Sequence, residues 1–132
     1  MIAALVVGLA GSAGALVRFA VDRSFETLRA RRRHSVPPRP PFPGGTLVVN
    51  ILGSGAIGVL WGLLQSSALD PFWYSVWATG LAGGLTTFST FSVAAASLWQ
   101  GGRRGAAVVH VSANLVCGLT AAWLGLHGAS LL

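Results

Sequence analysis

Lysine is absent from this 132-residue chain, and its acids are confined to Asp22, Glu26 and Asp70. Charged residues make up 9% of the whole, against the ~25% usual in a soluble domain. That scarcity excludes an ordinary water-soluble fold before any motif is considered. Cysteine occurs once, as Cys117 within an apolar run, so it supports neither a disulfide nor a thiolate-based metal site and reads as core. No carboxylate lies in the interior of an apolar run. This argues against a small four-helix multidrug/proton transporter, whose exchange needs a membrane-embedded acid. No nucleophile–base pair or metal-ligand spacing occurs either, so an enzyme is not expected.

What the chain has is apolar length. Hydrophobic residues are 53% of it and the mean hydropathy is +0.68. Four runs approach or exceed the ~20 residues that cross a bilayer: residues 2–21, 45–64, 72–99 and 105–132. They predict an all-α membrane protein of one four-helix transmembrane domain, residues 1–132. The first run has no basic residue before it, and Arg18 and Arg23 lie at its far end. It therefore reads as a retained helix and not as a signal peptide.

The formal charge of +6 comes from nine arginines. A basic balance can mean nucleic acid, but here the arginines cluster between apolar runs, so no nucleic-acid partner is expected and lipid is the natural neighbour. Residues 26–43, with Arg29, Arg31, Arg32, Arg33, Arg39 and five prolines, predict an extended loop, because proline removes donors and disfavours helix before it. From Arg23 onward, the connections after spans one and three hold eight arginines, and the opposite side holds none. Cytoplasmic loops keep the Lys and Arg, so both termini are placed outside a plasma membrane that the chain crosses four times.

The third run carries the densest signal. Thr79 to Ser92 contains Gly80, Gly83 and Gly84 followed by Thr86, Thr87, Ser89, Thr90 and Ser92. As a straight helix its 28 residues would measure roughly 42 Å, longer than a hydrocarbon core of about 30 Å. A break near the middle of this helix, favoured by the glycines, is the prediction. A broken membrane helix frees backbone groups that protein or ions must satisfy. Beyond the break, Phe88 and Phe91 share a face beside Thr87 and Thr90, and an aromatic edge is positive enough for an anion to approach it.

The other spans supply polar companions. Thr46, Asn50, Ser54, Gly58 and Gly62 recur every four residues in the second, and an amide such as Asn50 needs a partner in hydrocarbon. In the fourth, His110, Asn114 and Gly118 align. His110 lies one turn inside its span, where an interfacial hydrogen-bonding role is favoured over proton carriage. In the first, Gly11, Gly14 and Arg18 fall near one face, so that close helix approach is combined with a cation. Arg18 either snorkels to the interface or attracts anions at a vestibule.

The run Gly83-Gly84-Leu85-Thr86-Thr87-Phe88-Ser89-Thr90-Phe91 resembles the signature of the small fluoride channels, the Fluc or CrcB family. Gly45-Thr46-Leu47-Val48-Val49-Asn50-Ile51-Leu52-Gly53 and Gly11-Ser12-Ala13-Gly14-Ala15-Leu16-Val17-Arg18 resemble its second- and first-helix motifs, in the right order. The resemblance implies passive export of cytoplasmic fluoride, reducing its toxicity, through an antiparallel dual-topology dimer with two pores. It implies a structural sodium ion at the dimer centre, held by backbone carbonyls of Gly83 and Thr86. Asn50, Thr87, Phe88, Thr90, Phe91, His110 and Asn114 would lie on the fluoride path, with Arg18 at a vestibule.

Three positions depart from the family pattern: Ala94 replaces an acid, His110 a tyrosine and Gly44 a tryptophan. The first two changes leave a non-conducting or partly conducting subunit of a two-chain fluoride channel as the alternative function. The eight-to-none arginine bias adds a further expectation. It implies insertion in one orientation and pairing with an oppositely oriented homologous chain, whereas the family motif alone implies an antiparallel dimer of the chain with itself.

Overall fold

The computed structural model describes residues 1–31 and 40–129. Arg32, Arg33 and Arg39 of the basic loop, and residues 130–132 at the end of the fourth expected span, lie outside the described residues. The protein is all-helical there, and four helical segments are long and apolar enough to cross a membrane: Ile2–Arg31, Gly44–Gln65, Pro71–Gln100 and Arg104–Ala129. It is a multi-pass membrane protein.

The first segment is one helix, α1 (Ile2–Arg31). It runs ten residues past the expected end at Val21, so Glu26–Arg31 is helix where a loop was anticipated. The extension has local causes. Arg23 and Glu26 form an i,i+3 ion pair at 3.1 Å, and the Ser24 and Thr27 hydroxyls donate to the carbonyls of Ala20 and Arg23. Arg29 and Arg31 sit in the last turn, where cations suit the helix dipole. No proline intervenes before Pro37.

The third segment is composite. A short α3 (Pro71–Tyr74) is capped by Asp70, whose Oδ1 accepts from the Phe72 N–H at 2.8 Å. It passes into a π-helical stretch, π1 (Ser75–Ala82), then α4 (Gly83–Leu85) and α5 (Phe88–Gln100). The expected break is present, but not at the glycines. Gly80 and Gly83 are helical, and the extended residues are Thr86 (φ −77°, ψ 159°) and Thr87 (φ −150°, ψ 121°).

The glycines serve close approach to α1 instead. A Cβ on Gly80 would stand 2.8 Å from the Val7 carbonyl, and one on Gly84 would run into the Gly11 carbonyl. From the other side, a Cβ on Gly14 would meet the backbone of Leu81 and Leu85. The second seam joins α2 (Gly44–Gln65) to α6 (Arg104–Ala129). There a Cβ on Gly58 would strike the Ala122 backbone, and one on Gly125 would stand 2.9 Å from the Val59 nitrogen. Small residues let helix backbones touch in a bilayer, where lipid gives no hydrophobic drive to pair.

Aromatics mark both membrane boundaries, as amphipathic rings do. Trp61 packs edge-on to Tyr74 and Trp73 stacks on Trp77 at one end. At the other, Arg104 lies over Trp99 at 5.3 Å. On that arginine-bearing side, Arg103 donates to the Pro40 carbonyl at 2.6 Å and Arg29 to the Phe42 carbonyl. These bonds tie residues 40–43 down over the helix ends.

Candidate ion-binding site

The site is built around the break. After Thr86, whose N–H still bonds the Ala82 carbonyl at 3.0 Å, the helical ladder is intercepted from α2. Asn50 Oδ1 accepts from the Thr87 N–H at 2.9 Å, and Asn50 Nδ2 donates to the Thr87 carbonyl at 3.3 Å. One side-chain amide thus replaces the bonds that the broken backbone would otherwise lack. A buried donor left without a partner costs about 1–3 kcal/mol, so Asn50 explains why the break is tolerated. Thr87 then caps α5: its Oγ1 accepts from the Thr90 N–H at 3.2 Å and donates to Thr90 Oγ1 at 3.1 Å.

Asn50 also reaches α6. Its Nδ2 donates to Asn114 Oδ1 at 3.0 Å, and Asn114 Nδ2 lies 2.9 Å from the His110 carbonyl and 3.3 Å from His110 Nδ1. A polar chain therefore runs Thr87–Asn50–Asn114–His110 across three segments. It is the alignment expected from the four-residue spacings, joined at the break.

Against this chain opens a cleft of about 430 Å³. Its polar lining is Asn50, Ser54, Thr86, Thr87 and Asn114; Phe88 and Phe91 provide rings, and Ile57, Val111 and Leu115 complete the wall. Five of the seven residues expected on the fluoride path meet there. Phe88 is 80% exposed, and its ring centroid is 5.7 Å from that of Phe91. The other two lie apart from the cleft. Thr90 is exposed and tied to Thr87, and His110 is fully buried with Phe91 5.2 Å and Phe42 5.8 Å from its ring centroid.

His110 lies in the second turn of α6, hydrogen-bonded to Asn114 and enclosed by the rest of the chain. Phe42, at the near end of the proline-rich loop, covers it. Phe42 was not singled out from sequence, although an aromatic between Pro41 and Pro43 is a detectable signal of a fixed ring. Ser54 was seen only as a member of a polar-to-small stripe, and Thr86 as one of the hydroxyls of the third run and for its carbonyl.

Arg18 turns inward. Its Nη1 donates to the Thr86 carbonyl at 3.2 Å, part-buried, so the cation of α1 sits at the break. The Gly83 carbonyl has lost its usual i+4 donor, because the Thr87 N–H goes to Asn50. It keeps only the Thr86 hydroxyl at 3.4 Å. Among the described residues no cluster of His, Cys, Asp or Glu could hold a metal ion. Ala94 does not line the cleft.

Comparison with known proteins decides the family. The family described as "CrcB-like protein, Camphor Resistance (CrcB)" matches residues 5–126. The chain belongs to that family. Among CrcB-like relatives, it is 51% identical over 126 residues to a protein of Renibacterium salmoninarum named fluoride-specific ion channel FluC, covering 96% of this chain and 98% of that one. A protein of the same name from Saccharophagus degradans is 38% identical over 118 residues, covering 89% and 81%. The fluoride-specific ion channel FluC 2 of Rhodococcus jostii is 36% identical over 121 residues, covering 92% and 93%.

Proposed function

We propose that this chain forms a fluoride-selective channel that lets cytoplasmic fluoride leave passively across the cell membrane. The observation that carries this reading is the cleft at the break, where amide, hydroxyl and ring edge converge without a carboxylate. Fluoride is small and tightly hydrated, so a narrow path must replace its water with donors. Asn50, Ser54, Thr86, Thr87 and Asn114 bring such groups to the cleft, where an entering ion would exchange their mutual hydrogen bonds for bonds to itself, and the Phe88 and Phe91 edges add positive potential. The names of the relatives support the same ion.

The cleft is open along one side, and the described helices do not enclose a pore. A second chain, antiparallel to the first, closes it in our reading. That partner is either a copy of this chain or a homologue inserted the other way, and the one-sided arginines favour the latter. The Gly83 and Thr86 carbonyls fit sodium in kind: they are oxygen donors at an opened helix, with the Gly83 oxygen nearly free. They are too few alone, since hard cations take about six oxygens, so the partner's oxygens complete the set. Bound there, sodium would supply a fixed positive charge that ties the two breaks together.

The test is ion efflux from liposomes containing this chain, alone and with Phe88→Ile. We expect fluoride flux without chloride flux, reduced by the substitution. Chloride passage at a comparable rate would refute selectivity by this cleft. Flux that needs a second homologous chain would support the two-chain alternative.

A further inference from the structure

On the arginine-bearing side of the molecule, cations outnumber the acids that could pair with them. The chain has three carboxylate side chains, Asp22, Glu26 and Asp70. Asp70 caps α3 at the opposite end, Asp22 lies against Gly45, and Glu26 is taken by Arg23 in the one ion pair among the described residues. Arg29 and Arg103 donate to the neutral carbonyls of Phe42 and Pro40, which leaves their charge uncompensated. Arg104 has a different neighbour. Its guanidinium lies over the Trp99 ring at 5.3 Å, a contact that holds the cation against the protein instead of leaving it to swing into water.

The same tryptophan lines an apolar groove of about 370 Å³ between α5 and α6. The groove exists because Ala95 and Ala96 on α5 and Ala107 on α6 offer only methyl groups there, so no side chain fills the space. Trp99 and Val108 flank it, 50% and 56% exposed, and Ser112 is its single polar member. From Arg104 to Ser112, α6 advances roughly 12 Å, most of the ~15 Å that one leaflet contributes to the hydrocarbon core. An apolar slot nearly one leaflet deep, with an unpaired cation fixed beside its water-facing end, matches a lipid in both parts.

We propose that the α5–α6 groove binds an acyl chain of an anionic phospholipid from the leaflet on the arginine-bearing side, with the lipid phosphate held by Arg104. Arg103 adds charge, and its guanidinium has donors left besides the one given to Pro40. The surplus of cations selects an anionic headgroup over a zwitterionic one, whose own cation would be repelled. Val111 lines both this groove and the ion cleft, so the bound chain lies one side chain away from the cleft.

The proposal rests on the membrane placement and not on the channel reading, and its readout is lipid contact, so the two fail separately. Trp99 is a specific reporter: Trp61, Trp73 and Trp77 lie at the opposite end, and Trp123 is in the far half of α6. The full chain is reconstituted in phosphatidylcholine vesicles containing a minor share of lipid brominated on its acyl chains, either phosphatidylglycerol or phosphatidylcholine. Quenching assigned to Trp99, by difference from Trp99→Phe, should be stronger with the brominated phosphatidylglycerol.

Arg104→Gln should lower that preference about fivefold, the fold-change equivalent to the ~1 kcal/mol that one arginine contributes toward anionic lipid. Arg104→Lys should keep most of it. Ala96→Leu, which puts a larger side chain into the groove at an exposed position, should lose the preference although every arginine remains. Equal quenching by the two lipids, or a preference intact in Arg104→Gln or in Ala96→Leu, would overturn the site. Trp99 unquenched by either lipid would show that a protein partner covers the groove, and would overturn it as well.

Discussion

The two halves of the third membrane segment are packed in opposite ways. Before the break, Val76, Ala78, Gly80 and Ala82 are buried, and the backbone lies directly on that of α1. After it, Leu98 is the only buried residue of α5; Phe88 and Val93 are 80% and 66% exposed. One half is held in place, and the other is displayed. The break converts a rigid seam into a presented face, and the cleft forms where the two meet. Fold and ion site therefore depend on different residues only a few positions apart.

That division is broken most severely on the seam side. Gly84→Val puts a branched side chain where even a Cβ overlaps the Gly11 carbonyl. Backbone cannot step aside as a flexible side chain can, so the cost should be about 3 kcal/mol or more. The expected result is loss of monodisperse protein from detergent extracts. Recovery of wild-type yield and melting temperature would show that α1 and the third segment are not in backbone contact.

Asn50→Leu comes next and tests the boundary itself. It leaves the Thr87 N–H without its partner at a cost of about 1–3 kcal/mol, so folded protein should survive. Amide exchange at Thr87 should accelerate and fluoride flux should fall, because break and cleft share this side chain. Unchanged exchange at Thr87 would mean that the break does not depend on Asn50.

Arg18→Met is smaller again. It removes one donor from the Thr86 carbonyl, worth on the order of 1 kcal/mol, and also takes a positive charge from beside the oxygens assigned to sodium. Intrinsic stability should drop slightly, while the gain in melting temperature from replacing a bulky organic cation by sodium should grow. Identical sodium dependence in variant and wild type would separate Arg18 from that site.

Much of this division was legible in sequence, though not its cause. Apolar length marked the four segments, and the spacing of Asn50, His110 and Asn114 marked their polar faces. The glycines were misread, because a glycine that bends a chain and a glycine that admits a neighbouring backbone look the same in one sequence. Which of the two applies is determined by α1, some seventy residues away. The true break was hidden for a similar reason: Thr87 is ordinary until the Asn50 amide takes its N–H from across the fold. The end of α1 was missed because short i,i+3 and i,i+4 side-chain bonds extended the helix toward a proline-rich stretch. Burial of His110 depended on Phe42, a residue of the loop that composition marked only as irregular.

The mildest substitution sharpens the contrast by showing where glycine does not matter. Gly8 lies on α1 one turn from Gly11 and Ser12, yet nothing stands within 4 Å of a Cβ placed there. Gly14, on the same helix, would drive a Cβ into the Leu81 carbonyl. If the seam is defined by backbone contact and not by glycine content, Gly8→Ala should be neutral or stabilise by up to about 1 kcal/mol through helix propensity. Gly14→Ala should destabilise. Paired thermal melts of the two variants in the same detergent measure this directly. A destabilised Gly8→Ala would place a partner surface against that face of α1, and the displayed side of the molecule would then extend beyond α5.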